Sequence, residues 1–280
     1  IGGRSHSLAF ATEHPGRWKN QDMTRVFEYY RDGKGVDTLT LNFSDMPLGT
    51  ATEQFDFAFL VMPVKPASNF SVDRDAAWVN VYYPQRLLTP MECAVGSKET
   101  PLDLFKRCDV KTVVFFDHWM KYQSGHTPAF EPSLFKEIIK ACKAAGLRVI
   151  LYRSRELSNA SPFWNDFSAS SLTIPSSYGF KRTYPLKQTS YGYCPASQLS
   201  DYFLWSADFL LKEYGVDGFY LDGAANDLLC SNSAHGCGEN GKATFGIRAN
   251  RAMMKRLWKL FSQHQREPLI DAHGFSPFAI

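Results

Sequence analysis

Four apolar runs in this chain end on side chains that can do chemistry. Lys111–Phe116 is followed by Asp117-His118-Trp119, and Leu147–Tyr152 by Arg153-Ser154-Arg155-Glu156. Val216–Leu221 is followed by Asp222-Gly223, and Pro268–Ile270 by Asp271-Ala272-His273. Read as strands, these runs deliver a carboxylate, an imidazole or a guanidinium as each leaves the core. Asp222 is the sharpest case. Side chains alternate along a strand, so Asp222 shares a face with Tyr220 and Gly218 and not with Phe219 or Leu221. A carboxylate just past an apolar strand and before a permissive Gly can stand open to solvent. Such a group suits attack on, or stabilisation of, a developing oxocarbenium carbon. The competing use is a cap on the next turn or a pairing with an arginine. His118 could hydrogen-bond a hydroxyl and Trp119 could stack on a sugar ring, although a Trp beside a strand also serves the core. Arg153, Tyr220, His235 and His273 complete the candidate substrate contacts.

Cys230-Ser231-Asn232-Ser233-Ala234-His235-Gly236-Cys237-Gly238 follows Asp222 closely. Two Cys and a His in eight residues suggest zinc, but the spacing fits no common finger and further ligands would have to come from elsewhere. A disulfide, plain packing of the thiols and a substrate-contacting His235 are the alternatives. A metal-dependent hydrolase built on Asp117, His118, His235 and Cys237 is the corresponding third functional reading. The expectation adopted is no metal and no cofactor. Cys142, on the apolar face of a helix, reads as a buried free thiol. None of the six cysteines forms a Cys-x-x-Cys pair, and the redox compartment stays open.

The elements that must position these groups fall into two textures. Up to residue 66 strand-like runs alternate with turns: Leu8–Ala11, Val26–Tyr30, Thr38–Phe43 and Phe55–Val61, with Asp32-Gly33-Lys34-Gly35 as hairpin chemistry. This predicts the C-terminal part of an antiparallel β-sandwich over residues 1–66. From residue 67 to 280 the rhythm is strand, helix, strand. Val79–Tyr83 and the four runs above are strands. Helices are predicted from Pro132 to Gly146, from a Ser200 cap to Gly215, and along the Ile247–Phe261 stripe. Repeated βα units give parallel strands. The fold class expected is α/β: about five strands of a (β/α)8 barrel, with chemistry at the C-terminal strand ends. No Gly-x-Gly-x-x-Gly or Walker sequence supports a nucleotide fold. Residues 157–199, rich in Ser, Pro and Tyr and without a convincing helix, read as a structured loop over the barrel mouth.

The chain has 280 residues, 31 basic and 28 acidic, for a formal net charge of +3. That balance, without long runs of one sign, argues against a dedicated nucleic-acid or anionic-membrane partner. No stretch approaches the ~18 apolar residues of a membrane span. The chain starts at Ile1 without a signal segment and ends on a strand leading into a loop, and it reads as a piece of a longer protein.

Glu213-Tyr214-Gly215-Val216-Asp217-Gly218-Phe219-Tyr220-Leu221-Asp222-Gly223, with Cys230–Gly238, resembles glycoside hydrolase family 123 and its relatives. Phe59–Pro66 resembles the end of that family's N-terminal β-sandwich, and Phe116–Trp119 and Asp271–His273 fall where related chains carry polar strand ends. The resemblance implies a β-sandwich followed by a catalytic barrel and a carbohydrate partner. It also implies hydrolysis of β-linked N-acetylgalactosamine by substrate assistance, outside the cytoplasm. In that family an Asp orients the acetamido group and the adjacent Glu is the general acid/base. Asp222 matches the Asp, but Gly223 stands in the Glu position. The proton donor would then be Glu239, Asp227, Asp117 or a residue further along the protein. A carbohydrate-binding protein that has lost its acid is the alternative on the same scaffold.

Overall fold

The computed structural model describes residues 6–12, 26–44, 57–63, 77–92, 98–122, 129–176, 179–183, 186–223, 228–238 and 243–273. In chain order the first strands are β1 (His6–Thr12), β2 (Phe27–Arg31), β3 (Asp37–Leu41) and β4 (Phe57–Pro63). β1 pairs antiparallel with β4, and β2 with β3. The β2–β3 turn closes on Asp32, whose Oδ1 accepts from the Lys34 and Val36 amides at 2.8 Å each, while Gly35 takes φ 81°. Phe10 lies 5.4 Å from both Phe27 and Phe59, so the two pairs touch through aromatic rings. Residues 64–76, where the sequence places the boundary between units, lie outside the described residues.

β5 (Ala77–Val81) begins the parallel sheet. A short hairpin of β6 (Met91–Glu92) and β7 (Lys98–Glu99) follows, then α1 (Pro101–Arg107). The sequence reading had no place for α1, yet its start is well marked. Thr100 and Asp103 form a reciprocal capping box with Pro101 at the first turn. Next come β8 (Val110–Phe115), α2 (Pro132–Ala144) and β9 (Arg148–Ser154). The excursion that follows holds β10 (Glu156–Ser158), α3 (Trp164–Ser171), β11 (Gly179–Arg182) and β12 (Gln188–Gly192). α4 (Leu199–Phe209), β13 (Gly218–Asp222), α5 (Ile247–Gln263) and β14 (Leu269–His273) complete the order.

Five strands form one parallel sheet in the order β5-β8-β9-β13-β14. Each strand therefore pairs with the next of the set in sequence, and the order never reverses. A doubly wound sheet must reverse once to place helices on both faces. Monotonic order with right-handed crossovers keeps every helix on one side and curls the sheet into an arc of a (β/α)8 barrel. The helix side is the main core. Val113, Phe115, Val149, Leu151, Phe219 and Leu221 are fully buried beneath Phe135, Ile138 and Ile139 of α2, Phe203 and Ala207 of α4, and Leu257 and Phe261 of α5. Each such side chain contributes about 2 kcal/mol through the apolar area it removes from water. Cys142 is buried here as a free thiol, as expected, and desolvation pushes it up to about 12.

The N-cap of α4 is Gln198, two residues before the predicted Ser200 cap. The helix runs into a π turn, Leu210–Tyr214, that ends on Gly215 at φ 70°. The excursion from 157 to 199 is not a helix-free loop. α3 lies within it, and β10-β12-β11 form a three-stranded antiparallel sheet. At the foot of the main sheet the Asp217 amide donates to the Val149 carbonyl at 2.8 Å, the Val149 amide donates to the Asp217 carboxylate at 2.7 Å, and that carboxylate also pairs with Lys143. Gly218 lies against β14 so closely that a Cβ would sit 2.0 Å from the Leu269 carbonyl oxygen. No helix among the described residues is long and apolar enough to cross a membrane.

Candidate active site

The C-terminal ends of β9, β13 and β14 bring Tyr152, Tyr220, Asp222, Asp271 and His273 together. In register Tyr220 lies between Tyr152 and Asp271, and Asp222 between Ser154 and His273. Asp222 is held at both oxygens. The Tyr152 hydroxyl donates to Oδ2 at 3.0 Å, and Nδ1 of His273 lies 3.2 Å from Oδ1. Its side chain is still 40% exposed and that of His273 is 68% exposed. Among the described residues the side-chain partners of Asp222 are Tyr152 and His273, and no arginine pairs with it. Below the carboxylate Phe116, Tyr152 and Tyr220 form an aromatic floor, with Phe116 4.2 Å from Tyr152 and 5.8 Å from Tyr220.

The electrostatics follow from burial and shared negative charge. Burial, then the Asp222 carboxylate, pushes the Tyr152 phenol far above its usual range, so it remains a donor. Tyr220 moves the same way for the same causes. Asp271, half-buried, is raised by desolvation, partly offset by His273. Glu156, only 7% exposed, is raised by burial above all. The Ser190 hydroxyl donating at 2.5 Å pulls it back, and the Asp117 and Asp222 carboxylates push it further up. Burial thus raises two carboxyls near the strand ends, as the acid of an acid/base site requires.

Asp117 and His118 flank this arrangement. Asp117 has φ 25° and forms an ion pair with Arg182, whose Nη1 also donates to the Asp117 carbonyl at 3.3 Å. Arg182 arrives from β11, so the excursion supplies the charge that holds the β8 end. His118 stacks on Tyr83 at 4.6 Å and is pulled down by burial and by the Arg182 charge.

Three predicted contacts lie elsewhere. Trp119 is core: it is 2% exposed, stacks on Phe135 at 5.5 Å, and its Nε1 donates to the Tyr152 carbonyl at 3.0 Å. Arg153 is fully buried on the helix side, because alternation sends it opposite to Tyr152. It lies 3.8 Å over the Phe203 ring and donates to the Phe203 carbonyl at 2.9 Å and to Ser206 Oγ, and burial lowers it to about 9. His235 uses both ring nitrogens, with Nδ1 2.8 Å from the Ser170 carbonyl and Nε2 3.3 Å from Cys230 Sγ. The proposed pairing of Asp117 and His118 with His235 and Cys237 does not form one ligand set. The latter two converge with Cys194 and Cys230. Asp227 and Glu239, named as proton donors, lie outside the described residues.

Sequence reasoning gave no role to Tyr152, Arg182 and Cys194, and named Asp271 and Glu156 among the strand-end groups without choosing them as site residues. For Tyr152 and Asp271 a signal existed, since both share the Tyr220 face once the strands are set in parallel register. Arg182 and Cys194 arrive from the excursion, where no local pattern marks them. Two cavities lie away from Asp222. One is near His118, Trp119 and Phe135, and a larger one lies at the foot of the sheet between Lys143, Arg148, Asp217 and Arg266.

The sequence matches no protein-family model and no curated protein. Solved structures do match. The α-N-acetylgalactosaminidase NagBb of Bifidobacterium bifidum, in its GalNAc complex and ligand-free, is 12% identical in each case with a TM-score of 0.50. These alignments cover 100% of this chain and 50% and 52% of NagBb. TtGalA, an α-galactosidase from Thermus thermophilus in complex with stachyose, is 14% identical with a TM-score of 0.47, covering 81% of this chain and 48% of that one. The chain thus spans about half the length of these structures. At this identity the NagBb likeness speaks for the fold alone, and it agrees with a partial barrel.

Proposed function

We propose that this chain is part of a glycoside hydrolase, with residues 1–66 ending a β-sandwich and residues 67–280 forming the N-terminal part of the catalytic barrel, and that Asp222 is its central carboxylate. The observation carrying this reading is that Asp222 leaves its strand half-open and oriented at both oxygens by Tyr152 and His273 above an aromatic floor. An oriented carboxylate in front of an apolar ring surface is what a pyranose needs. The ring stacks below while the charge faces the anomeric carbon. Asp222 either attacks that carbon or steadies the acetamido group of an N-acetylhexosamine as its oxygen attacks.

The proton for the departing glycosidic oxygen comes from Asp271. It lies two residues along from the Asp222 pairing position on the adjacent strand, about 8 Å away between Cα atoms by strand spacing and rise. Desolvation raises its pKa from the ordinary value, which favours the protonated form, and it remains reachable from solvent. Glu156 is similarly raised but is enclosed and bound to Ser190. Water, giving its proton back to Asp271, then adds hydroxyl to the anomeric carbon and breaks that carbon's bond to Asp222 or to the acetamido oxygen.

A panel of aryl glycosides tests this, led by N-acetylgalactosaminides and galactosides because NagBb and TtGalA carry those names. Turnover of one member that Asp222→Asn abolishes while sugar binding persists supports the proposal. Sugar binding without turnover in the unmodified protein would instead support the non-catalytic reading that Gly223 favours by replacing the family's Glu.

A further inference from the structure

The excursion and the β13–α5 connection meet at Cys194, Cys230, His235 and Cys237. One ligand atom from each lies within 4.8 Å of all the others. We infer that these four residues form a structural zinc site that ties the two loops together.

Four observations carry this inference. The first is spacing. Two thiolates on one tetrahedral zinc, each with a bond of about 2.3 Å, stand about 3.8 Å apart, and a thiolate and an imidazole about 3.6 Å apart. Cys194 Sγ and Cys237 Sγ are 3.7 Å apart, and Cys230 Sγ and His235 Nε2 are 3.3 Å apart. The second is tautomer control. His235 Nδ1 lies 2.8 Å from the Ser170 carbonyl, an acceptor, so Nδ1 carries the proton and the Nε2 lone pair faces the sulfurs. Metal-binding histidines are held by such a hydrogen bond on the other nitrogen.

The third observation is the environment of the sulfurs. The Asn232 amide donates to Cys230 Sγ at 3.4 Å and the Thr244 hydroxyl to Cys237 Sγ at 3.2 Å. Donors aimed at sulfur favour thiolate, the form that binds metal. The fourth is how little apolar surface gathers them, among the described residues. The three cysteines form a buried cluster of their own, apart from the main core, too small to hold two loops by apolar burial.

The surrounding backbone is shaped to the site. Cys230 and Thr244 exchange backbone hydrogen bonds at 2.7 and 2.8 Å. The turn through Ser233–His235 closes on Gly236 at φ 83°, and at Gly238 a Cβ would sit 2.2 Å from the Ser231 carbonyl. Asn232 Nδ2 donates to the Ala169 and Leu172 carbonyls, and the Cys194 amide donates to the Ser171 carbonyl. The cluster therefore joins the end of α3, the residue run after β12 and the loop leaving Asp222. Four protein ligands fill a tetrahedron and leave no position for water, which makes the ion structural. Three soft thiolates with one imidazole suit zinc over magnesium or calcium.

The test uses the unmodified chain, produced without a histidine tag, dialysed and analysed by inductively coupled plasma mass spectrometry. One zinc per chain is expected. After exchange with Co(II), near-ultraviolet thiolate-to-cobalt charge transfer and intense visible bands of a tetrahedral centre should appear. Cys194→Ser and His235→Ala should lose the metal, Cys142→Ser should keep it, and His235→Cys should retain it with stronger charge transfer. Folded protein without stoichiometric zinc that takes up no tetrahedral cobalt overturns the inference. So does a non-reducing mass that places a disulfide among Cys194, Cys230 and Cys237. If a variant does not fold, zinc content and the cobalt spectrum of the unmodified chain decide.

Discussion

Adjacent residues of β9 face opposite worlds. Tyr152 points to the barrel side and, though itself buried, bonds the part-exposed carboxylate of Asp222. Arg153 points to the helix side and is sealed under α4 between Phe203 and Phe219, where its charge is carried by a carbonyl, a hydroxyl and two rings. One peptide bond separates a residue that lines the candidate site from one placed for packing. A polar side chain at a strand end therefore says little until its parity on the strand is known.

Substitutions can break this contrast or sharpen it. The largest effect belongs to the open face: Asp222→Asn should lower kcat/KM on the order of 10⁴-fold with little change in Tm, read by steady-state kinetics and calorimetry. Asp271→Asn should cost about 10²–10⁴-fold. Because that carboxyl must be protonated to act, and its pKa is raised, activity of the unmodified protein should decline as pH climbs past that raised value. The rate profile of the variant should lose that limb. Tyr152→Phe removes one hydrogen bond to a carboxylate, worth about 1.5–3 kcal/mol, and should reduce kcat/KM about 10- to 100-fold.

On the sealed face the pattern should invert. Arg153→Ala leaves a cavity and removes the guanidinium's bonds to the Phe203 carbonyl and the Ser206 hydroxyl, costing about 3 kcal/mol in urea unfolding with kcat nearly unchanged below the melting transition. The smallest effect is that of Glu156→Gln. The folded carboxyl, enclosed near Ser190, Asp117, Asp222 and Arg182, holds its proton to higher pH than in the unfolded chain, where the ordinary value is 4.5. The stability it withdraws therefore appears as pH rises above that ordinary value. Glu156→Gln should raise Tm at neutral pH and leave it unchanged in acid. If Arg153→Ala abolished kcat without lowering stability, the division between the two faces would fail.

Much of the barrel was legible because its strands are short apolar runs stopped by charge, and its helices carry 3.6-residue stripes. Asp222, Tyr220 and His273 could be placed together from strand parity and the strand-end rule alone. Arg153 was misread because parity was applied to β13 and not carried across to β9, where register with Tyr220 fixes which face Tyr152 takes. Trp119 was ambiguous by nature, since stacking on a sugar and stacking on Phe135 ask for the same surface. Arg182 and Cys194 were out of reach. Their roles depend on a three-stranded excursion whose pairings are non-local, and no period of 2 or 3.6 announces where such a segment returns.

Gly218 extends the reach of the site well beyond its own atoms. Because β13 lies against β14 without room for a methyl group at that level, the separation between the two strands is decided at their roots. The His273–Asp222 distance is read out four residues higher, roughly 13 Å away along the strand. An alanine at 218 would act like a wedge under one leg of a pair of tongs. The jaws would open at the far tip, with no atom of the tip itself altered.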